Sequence, residues 1–372
     1  MPASPGPVLV PRALNRAFLA RQLLLQRHRQ SAVETIEHLV GLQAQAPDAP
    51  YVGLWTRLDG FRHDELATLL TERRTVRTWL MRGTVHLVTG RDCLTLRPLV
   101  QPALARSFNA SPFGQNLAGV DLAPILAAGR ALIEERPRTR AELAALLGAR
   151  WPGLDPDSLA YAISYLVPTV QPPPRGIWGT VSPATLTTVE HWLGRPLDPA
   201  PSLDALVLRY LAAFGPATVR DAQLWSGLTR LRPIFDRLRP RLVTFRDDAG
   251  AELFDLADAP RPHPDTPAPP RFLPEYDNLL LSHVDRRRVI PDGRRVPLPP
   301  GNGGSRGTLL LDGYFRATWR ITRQATAATL TIEPFAPLSA PDRAALEAEG
   351  THLLAFTAAD ATSHAIRFAE SA

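Results

Sequence analysis

The sequence predicts an α+β chain: three tandem winged-helix units followed by a small C-terminal β-barrel. Three observations carry this reading. Between residues 31 and 88, helical periodicity gives way to two strand-like apolar stretches split by Arg82-Gly83, so helices precede a β-hairpin. The segment Thr139 to Gly148 repeats the start, apolar face and stop of the segment Thr218 to Gly227, which marks an internal repeat. Beyond a proline-rich run at 257–270 the pattern turns mostly to strands.

The first unit covers 8–112. Residues 12–29, rich in Leu, Ala and Arg, read as a helix. Ser31 with Glu34 three residues on forms a capping box, and Val33, Ile36, Leu39, Val40 and Leu42 recur at helical spacing. Pro47 disfavours helix at Ala46, so this second helix is expected to stop near Gln45. Stretches 51–58 and 63–72 read as further helices, the latter with Leu66, Leu69 and Leu70 inward. Strands at 75–81 and 84–88 form the first wing, and a helix at 90–108 closes the unit.

The second unit, 113–200, has helices at 122–135, after the Thr139 capping box as far as Gly148, and at 157–166. Its wing at 170–181 is irregular, because Pro172, Pro173 and Pro174 cannot occupy a central strand. The third unit, 201–257, has a helix at 203–214 ended by Gly215-Pro216, a capped helix from Thr218 to Gly227 and another at 229–238. Strands 242–245 and 252–256 flank the turn Asp247-Asp248-Ala249-Gly250. After a stiff linker at 258–270, the barrel unit 271–372 has strands at 271–274, 279–282, 308–311, 315–322, 328–335 and 364–368, and a helix at 340–356. Residues 291–306 form a polar, Gly/Pro/Arg-rich loop.

The 372 residues suffice for two or three domains with real cores. No apolar run reaches a membrane span, and residues 1–11 lack the pattern of a signal peptide, so a cytoplasmic, nucleoid-associated protein without membrane contact is expected. A single cysteine, Cys93, excludes an internal disulfide and cysteine-ligated metal. No His-Glu-x-x-His pattern is present, and neither metal nor cofactor is expected. Net charge is +6, and all 42 basic side chains other than histidine are arginines. Arginine forks onto phosphate with two bonds, which suits nucleic acid, although GC-rich coding also replaces lysine with arginine.

The candidate site is Gln43 with Gln45, two amides one residue apart where an apolar helix runs out. On an ideal helix they point about 200° apart and share a cleft only if the last turn loosens. Plain surface glutamines are the alternative. Four segments carry a family resemblance: Gly41-Leu42-Gln43-Ala44-Gln45 with Tyr51-Val52-Gly53-Leu54-Trp55; Thr78-Trp79-Leu80-Met81-Arg82-Gly83-Thr84-Val85-His86; Phe214-Gly215-Pro216-Ala217-Thr218 with Trp225-Ser226-Gly227; and Phe272-Leu273-Pro274-Glu275-Tyr276-Asp277-Asn278. Together they resemble the AlkZ-type winged-helix DNA glycosylases, which unhook azinomycin crosslinks, and their YcaQ-type relatives.

The resemblance spans nearly the whole chain. It implies three winged helices arranged as a C, a β-barrel, duplex DNA in the concave face and a hairpin that probes it, for which 279–293 is the candidate. That family carries Gln–apolar–Gln or Gln–apolar–Asp, and Gln45 places this chain on the AlkZ-like side. The implied activity is hydrolysis of the N-glycosidic bond of cationic N7-alkylpurines, bulky adducts or interstrand crosslinks by a monofunctional, monomeric glycosylase. The setting would be base excision repair or self-resistance to a DNA-damaging natural product.

N7 alkylation already activates the leaving base, so water need only be oriented at C1′. An amide carbonyl can accept one water proton while its nitrogen is pinned elsewhere, but an amide is no general base near neutral pH. Such a site should act on cationic lesions and fail on unmodified purines. A guanine tied to the opposite strand cannot enter a tight pocket, so an open site is expected. Arg82 and His86 in the first wing, and Arg286, Arg287 and Arg288, are the expected DNA contacts. His86 reads equally as a core or turn residue, and the arginine triplet as one solvated face. Glu275 and Asp277 read as candidates for fixing the barrel's first turn. Trp55, Trp79 and Trp225 read as core rather than base-stacking. A non-catalytic winged-helix DNA-binding protein, either a transcriptional regulator or an idle paralogue, is the alternative.

Overall fold

The computed structural model describes residues 6–296 and 306–370. Its first helix, Pro11–Arg21, stops well short of residue 29. Leu23 takes a φ of 57° and the Leu24 N–H returns to the Leu19 carbonyl, closing the helix before the next capping signal. The Ser31–Glu34 capping box forms and opens the helix Ala32–His38. Helices Ala49–Trp55 and His63–Thr71 follow, then strands Thr75–Trp79 and Val85–Thr89 and the long helix Gly90–Ala110.

The next stretch repeats the order. Helices Ala123–Glu135, Arg140–Arg150 and Pro156–Leu166 precede strands Thr169–Gln171 and Thr185–Thr188. The return strand lies later than the expected 170–181 wing, because the prolines hold residues 172–184 out of the ladder. Helices Leu203–Phe214, Val219–Ser226 and Arg232–Leu238 then precede the paired strands Leu242–Arg246 and Glu252–Leu256. Thr139 and Thr218 both make reciprocal capping boxes, and Gly227 ends its helix at a φ of 75°.

The first two hairpins are not separate wings. They join in one six-stranded sheet, ordered Leu42–Gln43, Val85–Thr89, Thr75–Trp79, Thr169–Gln171, Thr185–Thr188, Arg138–Thr139. The seam pairs Arg77 with Gln171 and Thr78 with Val170, and the Thr78 hydroxyl donates to the Thr169 carbonyl at 2.7 Å.

The C-terminal sheet is open rather than a closed barrel. Its linear order is Ser363–Phe368, Ala327–Pro334, Tyr314–Gln324, Gly307–Leu311, Arg271–Leu273, and its two outer strands do not pair among the described residues. The helix Ala340–Thr357 crosses over so that the last strand returns parallel to Ala327–Pro334 instead of closing on Arg271–Leu273. The expected strand at 279–282 is a short 3-10 turn, Asn278–Leu280. Leu279, Leu280 and Leu281 are all buried, whereas a strand with one exposed face would alternate. The probing hairpin sought at 279–293 is absent: turns occupy that span, and Asn15 Nδ2 pins the Arg288 carbonyl at 2.7 Å. Residues 297–305 of the predicted polar loop lie outside the described residues.

Among the described residues, three apolar cores hold these layers. Ile125, Leu143, Leu147, Leu159 and Ile163 form one core within the second stretch. A larger core mixes Val88 and Leu104 with Phe214, Trp225, Leu279 and Leu310. The third sets Leu42, Tyr51 and Leu87 against Phe272, Leu330 and Leu353. The strand carrying Gln43 is thus wedged between the first hairpin and the C-terminal sheet.

Candidate active site

The helix Ala32–His38 ends seven residues before the expected stop at Gln45. Val40 and Gly41 adopt φ of 55° and 99°. The Gly41 N–H reaches the Ile36 carbonyl and the Val40 N–H the Glu37 carbonyl, a Schellman closure. A Cβ on Gly41 would lie 2.6 Å from Val88 Cγ1, so only glycine fits there. Freed from the helix, Leu42–Gln43 becomes an edge strand with Gln43 opposite His86, and the Ala44 N–H extends the pairing to the Val85 carbonyl at 2.8 Å. The strand ends at Gln43, and Gln45 lies in the bend that follows it, so the two amides are set by an extended segment and a turn rather than by a helix.

The two glutamines occupy different depths. Gln43 is buried, and Arg82 Nη2 donates to its Oε1 at 2.7 Å. Gln45 is half-buried at the wall of a cavity of about 660 Å³, and its Oε1 accepts from the Val85 N–H at 3.4 Å.

Arg82 turns inward, which corrects its expected exposure. It sits at a φ of 57°, and its guanidinium donates to Gln43 Oε1, to the Trp225 carbonyl at 3.2 Å and to Asn278 Oδ1 at 3.3 Å. Burial and the charge of Arg286 lower its pKa to about 10, so it remains a cation at neutral pH. His86 is fully buried and likewise not a surface contact. Its Nδ1 lies 3.0 Å from the Thr84 carbonyl and so carries the proton, which leaves the Nε2 lone pair facing Arg82 Nη2 at 3.3 Å. Burial, then the Arg82 charge, drive its pKa down to about 3.

Asn278 completes the clamp by donating from Nδ2 to the Gly41 carbonyl at 2.8 Å. Its neighbour Asp277 makes a buried two-pronged ion pair with Arg57, both bonds at 2.9 Å, and accepts the Leu279 N–H at 3.0 Å. Asp277 therefore fixes the turn as expected. Glu275 and Tyr276 instead line the cavity beside Gln45, with Tyr276 at a φ of 62°.

The three neighbouring arginines have three fates, so they are neither a hairpin nor one solvated face. Arg286 is half-buried, near enough to Arg82 to lower its pKa. Arg287 is exposed and paired with Asp285 at 2.7 Å and Asp248 at 3.4 Å. Arg288 is buried and donates to the Pro216 carbonyl at 2.9 Å, which removes it from any surface.

The cavity wall also contains residues that the sequence did not single out. Arg77, Arg140 and Arg175 make it basic. Burial and the charge of Arg175 lower the Arg77 pKa to about 10. Phe113, Tyr161 and Tyr165 make it aromatic, with Phe113 stacked on Tyr161 at 3.7 Å. Trp79, expected in the core, is half-buried there and packs on Tyr165 at 4.7 Å, whereas Trp55 and Trp225 are buried. The spacing of Tyr161 and Tyr165, four apart on one helix face, is the signal that could have marked this wall.

This arrangement meets its relatives at the level of the whole chain. A curated protein from Streptomyces sahachiroi, described as an interstrand DNA cross-link repair glycosylase, is 23% identical over 367 residues, spanning 90% of this chain and 93% of that protein. The solved structure of Streptomyces sahachiroi DNA glycosylase AlkZ superposes with a TM-score of 0.68 at 19% identity, covering 97% of this chain and all of that one. That likeness establishes a shared mixed α+β fold. The profile of the family described as DNA glycosylase AlkZ-like matches residues 36–356, a span that holds Gln43, Gln45, Arg82 and Asn278 together, and the chain belongs to that AlkZ-like family.

Proposed function

We propose that this protein is a monofunctional DNA glycosylase that hydrolyses the N-glycosidic bond of cationic N7-alkylpurines, with bulky adducts and interstrand crosslinks as its substrates. The observation that carries the proposal is the layered pair of amides. Gln43 accepts from Arg82, whose guanidinium is itself held by Asn278, and Gln45 stands at the wall of a basic, aromatic-sided cavity. Family membership and the relative described as a cross-link repair glycosylase support the same reading.

In this reading the helix-then-hairpin stretches serve as winged helices on duplex DNA. Arg140 and Arg175 neutralise phosphates, and the aromatic wall takes the bulk of the adduct. The Gln45 amide, held at its oxygen by the Val85 N–H, orients water toward C1′ of a nucleotide whose base already carries the positive charge that makes it leave. Gln43 supports it from beneath. No general acid is required for such a base, so unmodified purines should stay intact.

The test is release of 7-methylguanine, and unhooking of an N7-linked crosslinked duplex, by wild type, Gln43→Ala and Gln45→Ala. Losses of about 10²-fold in single-turnover rate with retained duplex affinity are expected. Equal rates for the three proteins would remove both residues from the chemistry. A wild type that binds such duplexes and never cleaves them would instead support the non-catalytic DNA-binding reading.

A further inference from the structure

Among the described residues lining the cavity beside Gln45, Glu275 is the sole carboxylate, and Arg77, Arg140 and Arg175 line the same cavity. Its backbone is held from both sides. Upstream, Pro274 is buried and packs within 3.7 Å of the Cβ position of Gly53. Downstream, Tyr276 takes its left-handed φ of 62°, Asp277 is bonded twice to Arg57, and Asn278 is bonded to Gly41. A non-glycine residue at that φ is sparsely populated and persists only where the surroundings over-determine it. The same hydrogen bond that ties Asn278 to Gly41 sets residues 275–278 alongside the strand that leads into Gln45.

The charge balance of the cavity gives this carboxylate its meaning. Departure of a cationic base leaves positive charge on the sugar at C1′. Positions 43 and 45 offer only neutral amides, and the arginines would repel that charge until phosphates occupy them. Tyr161, Tyr165 and Tyr276 face the same space, and Asp48 lies toward Arg77 and Arg175.

We propose that Glu275 is a catalytic carboxylate that stabilises the sugar cation and accepts the proton of the attacking water. This rests on the glycosidic-hydrolysis reading above. The C1′–N9 bond breaks and its electron pair neutralises the alkylated purine, which leaves as a neutral base. The water held by Gln45 forms the new C1′–O bond, and one of its protons passes to the ionised Glu275 carboxylate and from there to solvent. The sugar is left with a 1′-hydroxyl, and no oxidant, reductant or metal enters the balance.

The experiment measures single-turnover release of 7-methylguanine from a duplex by wild type, Glu275→Gln and Glu275→Asp across pH, together with duplex affinity and melting temperature. Glu275→Gln should lose about 10²-fold or more in rate while keeping affinity and melting temperature. Glu275→Asp should recover part of the rate. The wild-type rate should fall on the acid side as the carboxylate is protonated, and this limb should vanish in Glu275→Gln. Wild-type turnover by Glu275→Gln, or a rate loss in both variants that only follows a fall in melting temperature, overturns the assignment while leaving the glycosylase reading intact. A wild type that releases no base overturns that reading, and Glu275 falls with it.

Discussion

Beneath Gln43 the His86 imidazole has nowhere to put a second proton, because its Nε2 faces a guanidinium and its Nδ1–H is already spent on a carbonyl. Its pKa is about 3 when folded, against an ordinary value of 6.5. The unfolded chain therefore binds a proton between those values that the folded chain refuses. Stability should fall as pH drops through this window, by about 1.4 kcal/mol per pH unit for each such histidine. His283, also lowered to about 3, acts in the same direction. Urea denaturation at pH 7 and pH 5 should show a smaller acid loss in His86→Gln than in wild type, and identical losses would contradict a folded imidazole that stays neutral at pH 5.

At this scale the amide pair was legible as a motif, but its setting was not. Nothing in the apolar periodicity through Leu42 reports that Gly41 must take a positive φ against Val88. The inward turn of Arg82 depends on Trp225 and Asn278, which lie 143 and 196 residues away in sequence.

Among the elements, the turn 275–278 depends most on a single pair. Arg57 and Asp277 bury opposite charges with two bonds of 2.9 Å, and Arg57 also bonds the Gln22 and Gly53 carbonyls. Removing one partner leaves an uncompensated buried charge, a loss of about 3–5 kcal/mol. Asp277→Asn should lose that much by urea denaturation, and the paired replacement Arg57→Met with Asp277→Leu should recover much of it. A loss under about 1 kcal/mol in Asp277→Asn would show that the pair does not hold the turn.

The elements were read well wherever a local signal exists. The capping boxes at Ser31, Thr139 and Thr218 each open the helix they announced. The failures share one cause. Leu279-Leu280-Leu281 looks like a buried strand, but the Leu280 and Leu281 N–H groups return to the Asp277 and Asn278 carbonyls and the Asp277 carboxylate caps the Leu279 N–H, which makes it a turn. Likewise, the last strand could have closed a barrel; its pairing with Ala327–Pro334 follows from the path of the preceding helix, which no local pattern encodes.

For the molecule as a whole, the ladder between Thr75–Trp79 and Thr169–Gln171 is what a unit-by-unit reading could not anticipate. Strand pairing across units leaves no local mark, since each hairpin satisfies its own alternation first. Spin labels at the exposed positions Asp64 and Glu135, introduced as cysteines, should give one narrow distance distribution that duplex DNA does not shift. Cys93 is buried with its thiol pushed up to about 12, which keeps it from competing for the label. A broad or DNA-dependent distribution would mean that the seam opens.

Because that seam pairs Arg77 with Gln171 and Thr78 with Val170, the spacing of the first two hairpins is preset. In the glycosylase reading, a duplex seated against both hairpins would conform to the protein rather than the reverse. Any bending energy would then fall on the nucleic acid, and a lesion that makes the duplex easier to bend would lower it. Recognition of damage would then begin as a mechanical test of stiffness, before any chemical group of the lesion is touched.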